Sequence, residues 1–316
     1  MNLKQINKSD LLVSPICMGT ATIGSTVSEK DSFERFDMFY ENGGNFLDTS
    51  NVYADWIDGV PKSVSEKTIG KWIKSRSLSS EIIVATKGGH GKLHGPIIGK
   101  PRLGKEELDE QIQKSLENLC VNSIGLYYLH RDDTSVAIEN IMDTLFENID
   151  KGFIKNIGCS NWSLERLKLA NEYAKKCNRN GFIVSSDRWS LAKFKPDKDP
   201  SIVPFNKERF EYIKENGMTE IPFQSMGRGT LSLIADGKTP DENYMVDENY
   251  ILSERAAEIA KHHETSIAAI SIAYLSNQDI NVIPIMFFDN ANQIKEAFNG
   301  ANLKLTKDEI AKLTLY

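Results

Sequence analysis

Hydrophobic positions along this chain fall into short, nearly unbroken runs, separated by stretches in which they recur every three or four residues. The runs are Ser14–Met18, Asn45–Leu47, Glu81–Thr86, Ile124–Leu129, Ile154–Gly158, Phe182–Ser185, Glu220–Phe223 and Val282–Ile285. Continuous rather than alternating apolarity is the pattern of strands buried on both faces. Between them, Leu108, Ile112, Leu116 and Leu119, and then Ile141, Leu145, Phe146 and Ile149, have the spacing of one helix face. Eight strands and at least eight helical segments divide 316 residues into βα units of about 40. That predicts the α/β class and a (β/α)8 TIM barrel, one domain over residues 1–316. A doubly wound sheet is the alternative, but no Gly-x-Gly-x-x-Gly follows any of the runs. The phosphate-loop lookalike Gly95–Lys100 is one residue short and continues into Pro101, where Ser or Thr is required.

Helix punctuation agrees. Ser28 is placed to cap a helix over Glu29–Glu41 that stops at Asn42-Gly43-Gly44, and Ser163 to cap one over Leu164–Cys177. Two connections are long, Lys87–Lys105 and Ser225–Asn249. In a barrel they follow strands three and seven on the C-terminal face, where loops carry function.

Composition narrows the class. The chain is 40% hydrophobic and 26% charged, with a mean hydropathy of −0.37, enough to bury a sizeable core. Its apolar runs are far shorter than the roughly 18 residues of a membrane span, and no secretory signal is visible at the N-terminus. A net charge of −6 argues against a nucleic-acid partner. The four cysteines, Cys17, Cys120, Cys159 and Cys177, form no Cys-x-x-Cys pair. They are expected as buried, reduced thiols, which points weakly to a cytoplasmic protein.

Catalytic groups of a barrel project from the C-terminal ends of its strands. Here those ends read Leu47-Asp48-Thr49-Ser50-Asn51-Val52-Tyr53, Ala85-Thr86-Lys87-Gly88-Gly89 and Tyr127-Tyr128-Leu129-His130-Arg131-Asp132-Asp133. At these residues the chain resembles the aldo-keto reductase superfamily of NAD(P)-dependent oxidoreductases. The resemblance extends over essentially the whole chain, since Ile157-Gly158-Cys159-Ser160-Asn161-Trp162 and Met226-Gly227-Arg228-Gly229 follow in the family's order. It implies that Asp48, Tyr53, Lys87 and His130 are the catalytic set. The residue types suit the chemistry. A carbonyl reduced by hydride needs a proton at oxygen, and a tyrosine with a pKa near 10 exchanges protons poorly at neutral pH. An ammonium beside it favours the phenolate, and a carboxylate holds the ammonium in place. Tyr53 is thus expected as proton donor and acceptor, Lys87 as the group that lowers its pKa, and Asp48 as the partner of Lys87. His130 would donate to the carbonyl oxygen.

The resemblance also implies an NAD(P)H site. Thr20, Asp48, Ser160, Asn161 and Phe223 would lie at its nicotinamide end. Gln224, Met226, Gly227, Arg228 and Gly229 would approach the pyrophosphate, and Phe288, Asp289 and Gln293 the adenosine. Ser186 stands where relatives commonly have a glutamine that contacts the nicotinamide amide, and would take that place with a shorter reach. After strand eight, Asp289 falls where NADP-binding relatives carry a basic residue, which tilts the expectation to NAD(H) over NADP(H). The alternative use of Asp289 is to cap a helix over Asn290–Phe298. Trp56, His90, His130 and Arg131 with Tyr53, and further out Asp132 and Trp189, are candidates for the mouth. Polar and aromatic groups there would suit a sugar, polyol or other small-molecule carbonyl. His90 and His94 have a metal-ligand spacing only if helical, and no metal is expected. Two other functions are weighed, a cofactor-sensing regulatory barrel and a barrel hydrolase. The second lacks an opposed pair of carboxylates. Oligomeric state is left open.

Overall fold

The computed structural model describes residues 3–91 and 99–314. Two short strands, β1 (Lys4–Gln5) and β2 (Leu12–Val13), pair antiparallel at the start. A parallel sheet follows through β3 (Cys17–Gly19), β4 (Phe46–Asp48), β5 (Ile83–Gly88), β6 (Ile124–Leu129), β7 (Ile154–Ser160), β8 (Val184–Ser186) and β9 (Thr219–Glu220), each bonded to the next. β10 (Asn281–Val282) then pairs with β9, and β11 (Ile285–Met286) with β3, so two halves of one broken strand close the barrel. Pro284 lies between the halves and has no N–H to give the ladder, but its carbonyl accepts from the Cys17 amide at 3.0 Å. The predicted (β/α)8 barrel is the observed fold.

Helices α1 (Glu29–Glu41), α2 (Val64–Arg76), α3 (Lys105–Leu119), α4 (Ile138–Asp150), α5 (Leu164–Lys176) and α6 (Lys207–Glu215) alternate with β3 to β9. α7 (Thr230–Ala235), α8 (Asp247–His262) and α9 (Ile267–Ser276) precede β10, and α10 (Ala291–Asn302) and α11 (Lys307–Leu313) end the chain. The two serine caps are where the sequence puts them. Ser28 Oγ accepts from the Asp31 amide at 3.1 Å and Ser163 Oγ from the Arg166 amide at 3.2 Å. Apolar residues facing outward from the strands and inward from the helices form one layer of core, which includes Leu108, Ile112, Ile141 and Leu145. A second, inside the barrel, contains Cys17, Phe46, Leu126, Tyr128, Val184 and Ile283.

Three features depart from expectation. The N-terminal hairpin was not anticipated, because strands of two residues carry no readable period. It adds Ile6, Leu11 and Val13 to the interior core and is tied to the barrel by Lys4 Nζ on the Val282 carbonyl and the Asn7 amide on Thr219 Oγ1, both at 3.0 Å. The Ser225–Asn249 connection is not a plain loop, since it holds α7 and 3-10 turns at Gly227–Gly229 and Glu242–Tyr244. Cys17 and Cys159 are buried as expected, but Cys120 and Cys177 are exposed, because each falls at the C-terminal cap of its helix rather than on the buried face. No described helix is long and apolar enough to cross a membrane.

At the base of α8, His262, His263 and Glu309 bring their ligand atoms within 4.8 Å of one another. Glu309 is already committed there. Its Oε2 accepts from the Thr306 amide at 2.8 Å in a capping box, and its Oε1 faces His263 Nε2 at 2.8 Å. Desolvation pushes this carboxyl up, but the Thr306 amide and the imidazoles outweigh it and hold the pKa at about 2. A depressed carboxyl stabilises the fold above its unfolded value and loses that contribution as pH falls towards its folded one. Glu309→Ala should therefore cost about 1 kcal/mol near pH 7. The difference from wild type should shrink between about pH 4.5 and 2. Thermal melts across that range check this, and equal melting temperatures at pH 7 would remove Glu309 from the capping role.

Candidate active site

The barrel register assembles a charged cluster at its C-terminal mouth. Asp48, the last residue of β4, is in register with Ala85 of β5. Lys87 lies two residues further on, so it shares Ala85's face and reaches the same carboxylate. Its Nζ is 2.5 Å from Asp48 Oδ1, 2.9 Å from the Thr49 carbonyl and 3.0 Å from Tyr53 Oη. Three acceptors for three N–H donors describe an ammonium with every proton used. Tyr53 arrives from the turn after β4, in which its amide donates to the Ser50 carbonyl at 3.2 Å. Its hydroxyl donates to Asp48 Oδ1 over a long 3.4 Å. His130 directly follows β6, with its amide on the Gly88 carbonyl at 2.8 Å, and its ring stands edge-on to Tyr53 at 5.9 Å. All four predicted residues line one groove.

Both members of the ion pair are only 3% exposed, and the cluster's electrostatics follow from that burial. Desolvation pulls Lys87 down, but Asp48 and Tyr53 outweigh it and leave the ammonium above its ordinary range. Burial pushes Asp48 up, and Lys87 opposes it. For Tyr53 the expected lowering does not appear. Burial raises the phenol above its ordinary value, Lys87 pulls it back only in part, and Asp48 adds to the rise. His130 is held well below the usual imidazole range, first by burial and then by Arg131, His90 and Lys87, so it is neutral at pH 7.

The groove encloses about 800 Å³ and runs from this cluster to the start of α10. Thr20, Ser160, Asn161 and Phe223 line its inner part. A buried ion pair holds the second of these segments. Asp187 lies 3.2 Å from Arg209, which also donates to the Trp162 carbonyl next to Asn161. Gln224, Met226, Arg228 and Gly229 line the middle. Gly227 and Gly229 take positive φ of 50° and 74° in this turn, the region that glycine enters without strain. Phe288, Asp289 and Gln293 line the far end.

Several predicted residues lie off the groove wall. Ser186 is fully buried in β8 with its hydroxyl unpartnered, and Gly227 is buried beneath its own turn. Trp56 is 48% exposed, its ring edge-on to Tyr53 at 6.2 Å. His90 is buried against His130, ring to ring at 4.9 Å. His94, and with it the test of a His90–His94 metal pair, lies outside the described residues. Arg131 does line the groove, and its Nε donates to Ser201 Oγ at 2.9 Å. Asp132 is turned away into a pair with Arg166 at 2.9 Å, and Trp189 stacks on Phe205 at 4.2 Å.

The far end needs a correction. The helix cap is Asn290, whose Oδ1 accepts from the Gln293 amide at 3.0 Å, and the helix runs over Ala291–Asn302. Asp289 does not cap it. Its Oδ1 instead takes a hydrogen bond from Arg35 Nη1 of α1 at 2.8 Å, and the Arg35 guanidinium stands 4.9 Å from the Phe287 ring. Glu296 also lines this end and was missed. Its spacing of three from Gln293 on α10 was the available signal.

With this geometry in hand, known proteins supply a frame. The family model described as "Aldo/keto reductase family" matches residues 15–315. The norsolorinic acid reductase stcV of Emericella nidulans is 27% identical over 95% of this chain and 77% of its own length. The putative aryl-alcohol dehydrogenase AAD14 of Saccharomyces cerevisiae is 28% identical over 95% of this chain and 82% of its own. The holo form of the aldo-keto reductase AKR11C1 from Bacillus halodurans superposes with a TM-score of 0.76. It is 23% identical and covers 99% of this chain and 95% of its own.

The ion pair makes a prediction that is independent of function. Lys87→Met leaves a buried carboxylate without its cation and should cost about 3–5 kcal/mol. Replacing both partners, as Asp48→Asn with Lys87→Met, should recover much of that loss. Urea unfolding measures both, and a single variant as stable as wild type would mean that the pair does not hold this end of the barrel.

Proposed function

The chain belongs to the aldo/keto reductase family, as an NAD(P)-dependent oxidoreductase of a small-molecule carbonyl and its alcohol, and we propose that Asp48, Tyr53, Lys87 and His130 carry that reaction. The observation that carries the assignment is the contact of Lys87 Nζ with both Asp48 and Tyr53 Oη on the wall of the groove that His130 also lines. A bound reduced nicotinamide would supply the hydride. As the carbonyl carbon takes that electron pair, its oxygen becomes an alkoxide and takes the hydroxyl proton of Tyr53. The phenolate left behind is stabilised by the Lys87 ammonium at 3.0 Å, which Asp48 holds in place. Tyr53 spends its proton on a weak 3.4 Å bond to Asp48, so little is lost when it turns to the substrate. His130, neutral and carrying one N–H, donates to the same oxygen as charge builds on it. Oxidation of the alcohol runs the same steps backwards.

The groove suits a dinucleotide in size and in the placing of its polar groups. Ser160 and Asn161 would hold the carboxamide, Phe223 would stack on the nicotinamide ring, and the turn from Gln224 to Gly229 would cradle the pyrophosphate. For the adenosine end we read NAD(H) over NADP(H). Asp289 and Glu296 line it, and among the described residues no lysine or arginine does. The Arg35 partner of Asp289 softens the repulsion of a 2′-phosphate without presenting a free cation to it. The mouth combines Arg131 with the exposed ring of Trp56, which suits a sugar or polyol carbonyl. The relatives named for aryl alcohols and norsolorinic acid favour an aromatic carbonyl on the same ring. The four unpaired thiols agree with a cytoplasmic setting.

Tyr53→Phe keeps the ring and removes the proton. It should lower kcat for carbonyl reduction by about 10² to 10⁴ and leave cofactor affinity nearly unchanged. A loss below about tenfold in steady-state assays would assign the proton to another group. Titration of intrinsic fluorescence with each reduced cofactor should show NADH binding more tightly than NADPH. Tighter NADPH binding would overturn the reading of Asp289 and Glu296, and would mean that Arg35 swings to the phosphate.

A further inference from the structure

His130 has two ring nitrogens and, being neutral, one proton to share between them. Only one arrangement lets it donate to a carbonyl. Its Nδ1 lies 3.2 Å from the hydroxyl of Ser50, a fully buried residue in the same turn that delivers Tyr53. That hydroxyl is also 3.2 Å from the Lys87 carbonyl and accepts a long bond from the Val52 amide at 3.4 Å. Ser50 therefore has one proton and two candidate acceptors. The Lys87 carbonyl is already supplied, since the Asn51 amide donates to it at 3.1 Å. His130 Nδ1 has no other partner among the described residues.

The two choices have opposite consequences. If Ser50 gives its proton to the Lys87 carbonyl, Nδ1 must carry the imidazole proton, and Nε2 is left with a lone pair towards the groove. A carbonyl oxygen is an acceptor only, so lone pair would face lone pair. If Ser50 gives its proton to Nδ1, the imidazole proton is on Nε2 and His130 is a donor. We propose that Ser50 is a positioning residue that fixes His130 as its Nε2–H tautomer by donating to Nδ1. The role matters here because the ring cannot solve the problem by protonating twice. Burial and the charges of Arg131 and Lys87 keep it neutral. The plane of the ring is set separately, by His90 at 4.9 Å and Tyr53 at 5.9 Å, both edge-on. One turn, Asp48 to Tyr53, thus supplies the proton donor directly and orients the second donor through Ser50.

The proposal rests on the reading of His130 as the carbonyl's donor, and the test separates the two. The chain has five histidines, so ¹⁵N-histidine labelling with His130→Gln as the assignment control resolves this one ring. In wild type, Nδ1 should show the shift of a bare acceptor nitrogen and Nε2 that of a protonated one. Ser50→Ala should move the ring towards a mixture and lower kcat/KM for carbonyl reduction about tenfold, with cofactor affinity unchanged. Ser50→Thr, which keeps the hydroxyl, should restore both. A wild-type ring protonated on Nδ1, or an unchanged tautomer in Ser50→Ala, overturns the proposal. A changed tautomer with undiminished turnover supports the positioning role and removes His130 as the donor. If the alanine variant does not fold, Ser50→Gly gives the same comparison, and a wild-type ring protonated on Nδ1 overturns the proposal in either case.

Discussion

The Asp48–Lys87 ion pair is the constraint around which the mouth of the barrel is built. Two opposite charges, each 3% exposed, have left water, and a buried charge without a partner costs several kcal/mol. Lys87 meets that cost by saturating its three donors on Asp48, the Thr49 carbonyl and Tyr53. The acceptors lie on the last residue of β4 and on the turn after it, so the ammonium ties the two together. The position of Tyr53 is thereby a by-product of satisfying the ammonium. His130 is drawn into the same arrangement through Ser50, whose hydroxyl meets both the Lys87 carbonyl and the imidazole. Asp48 Oδ2 remains buried and unpartnered, a cost this arrangement carries beside the groove.

The same burial sets the resting state of Tyr53, the proposed proton donor. Residue types alone suggest that an adjacent ammonium lowers the tyrosine pKa, and it does pull in that direction. Desolvation is the larger effect, and Asp48 adds to it, so Tyr53 rests as a neutral phenol. A neutral phenol is the form that has a proton to give. In the proposed reaction the ammonium's contribution would then fall on the phenolate formed after transfer, a charge that appears only as the reaction proceeds.

At the opposite end of the groove, charge is balanced rather than concentrated. Asp289 is joined to Arg35, Gln293 folds back to accept from the Asp289 amide at 2.7 Å, and Asn290 takes over the helix cap. Asp289, Gln293 and Asn290 thus each have a protein partner. At the inner end, by contrast, the segment carrying Ser160 and Asn161 is held by Arg209 on the Trp162 carbonyl.

Much of this was legible in the sequence. Apolar runs and helix-spaced residues are local patterns, so the barrel, the Ser28 and Ser163 caps and the strand-end Asp48, Lys87 and His130 could be read directly. Strands too short to carry a period could not, and the N-terminal hairpin went unseen. Pairings across the chain were equally hidden. Arg35 and Asp289 are 254 residues apart, and no local pattern records which partner a surface carboxylate will find. Ser186 looked like a cofactor contact by position, but the barrel turns it into the wall, fully buried. The direction of the Tyr53 shift was also beyond the sequence, which names the neighbours but not their depth. Sequence determines period and residue type, which act over a few positions. Burial and long-range pairing depend on how distant segments pack, and these alone decide whether a charge, a proton or a cap ends up where its residue type allows.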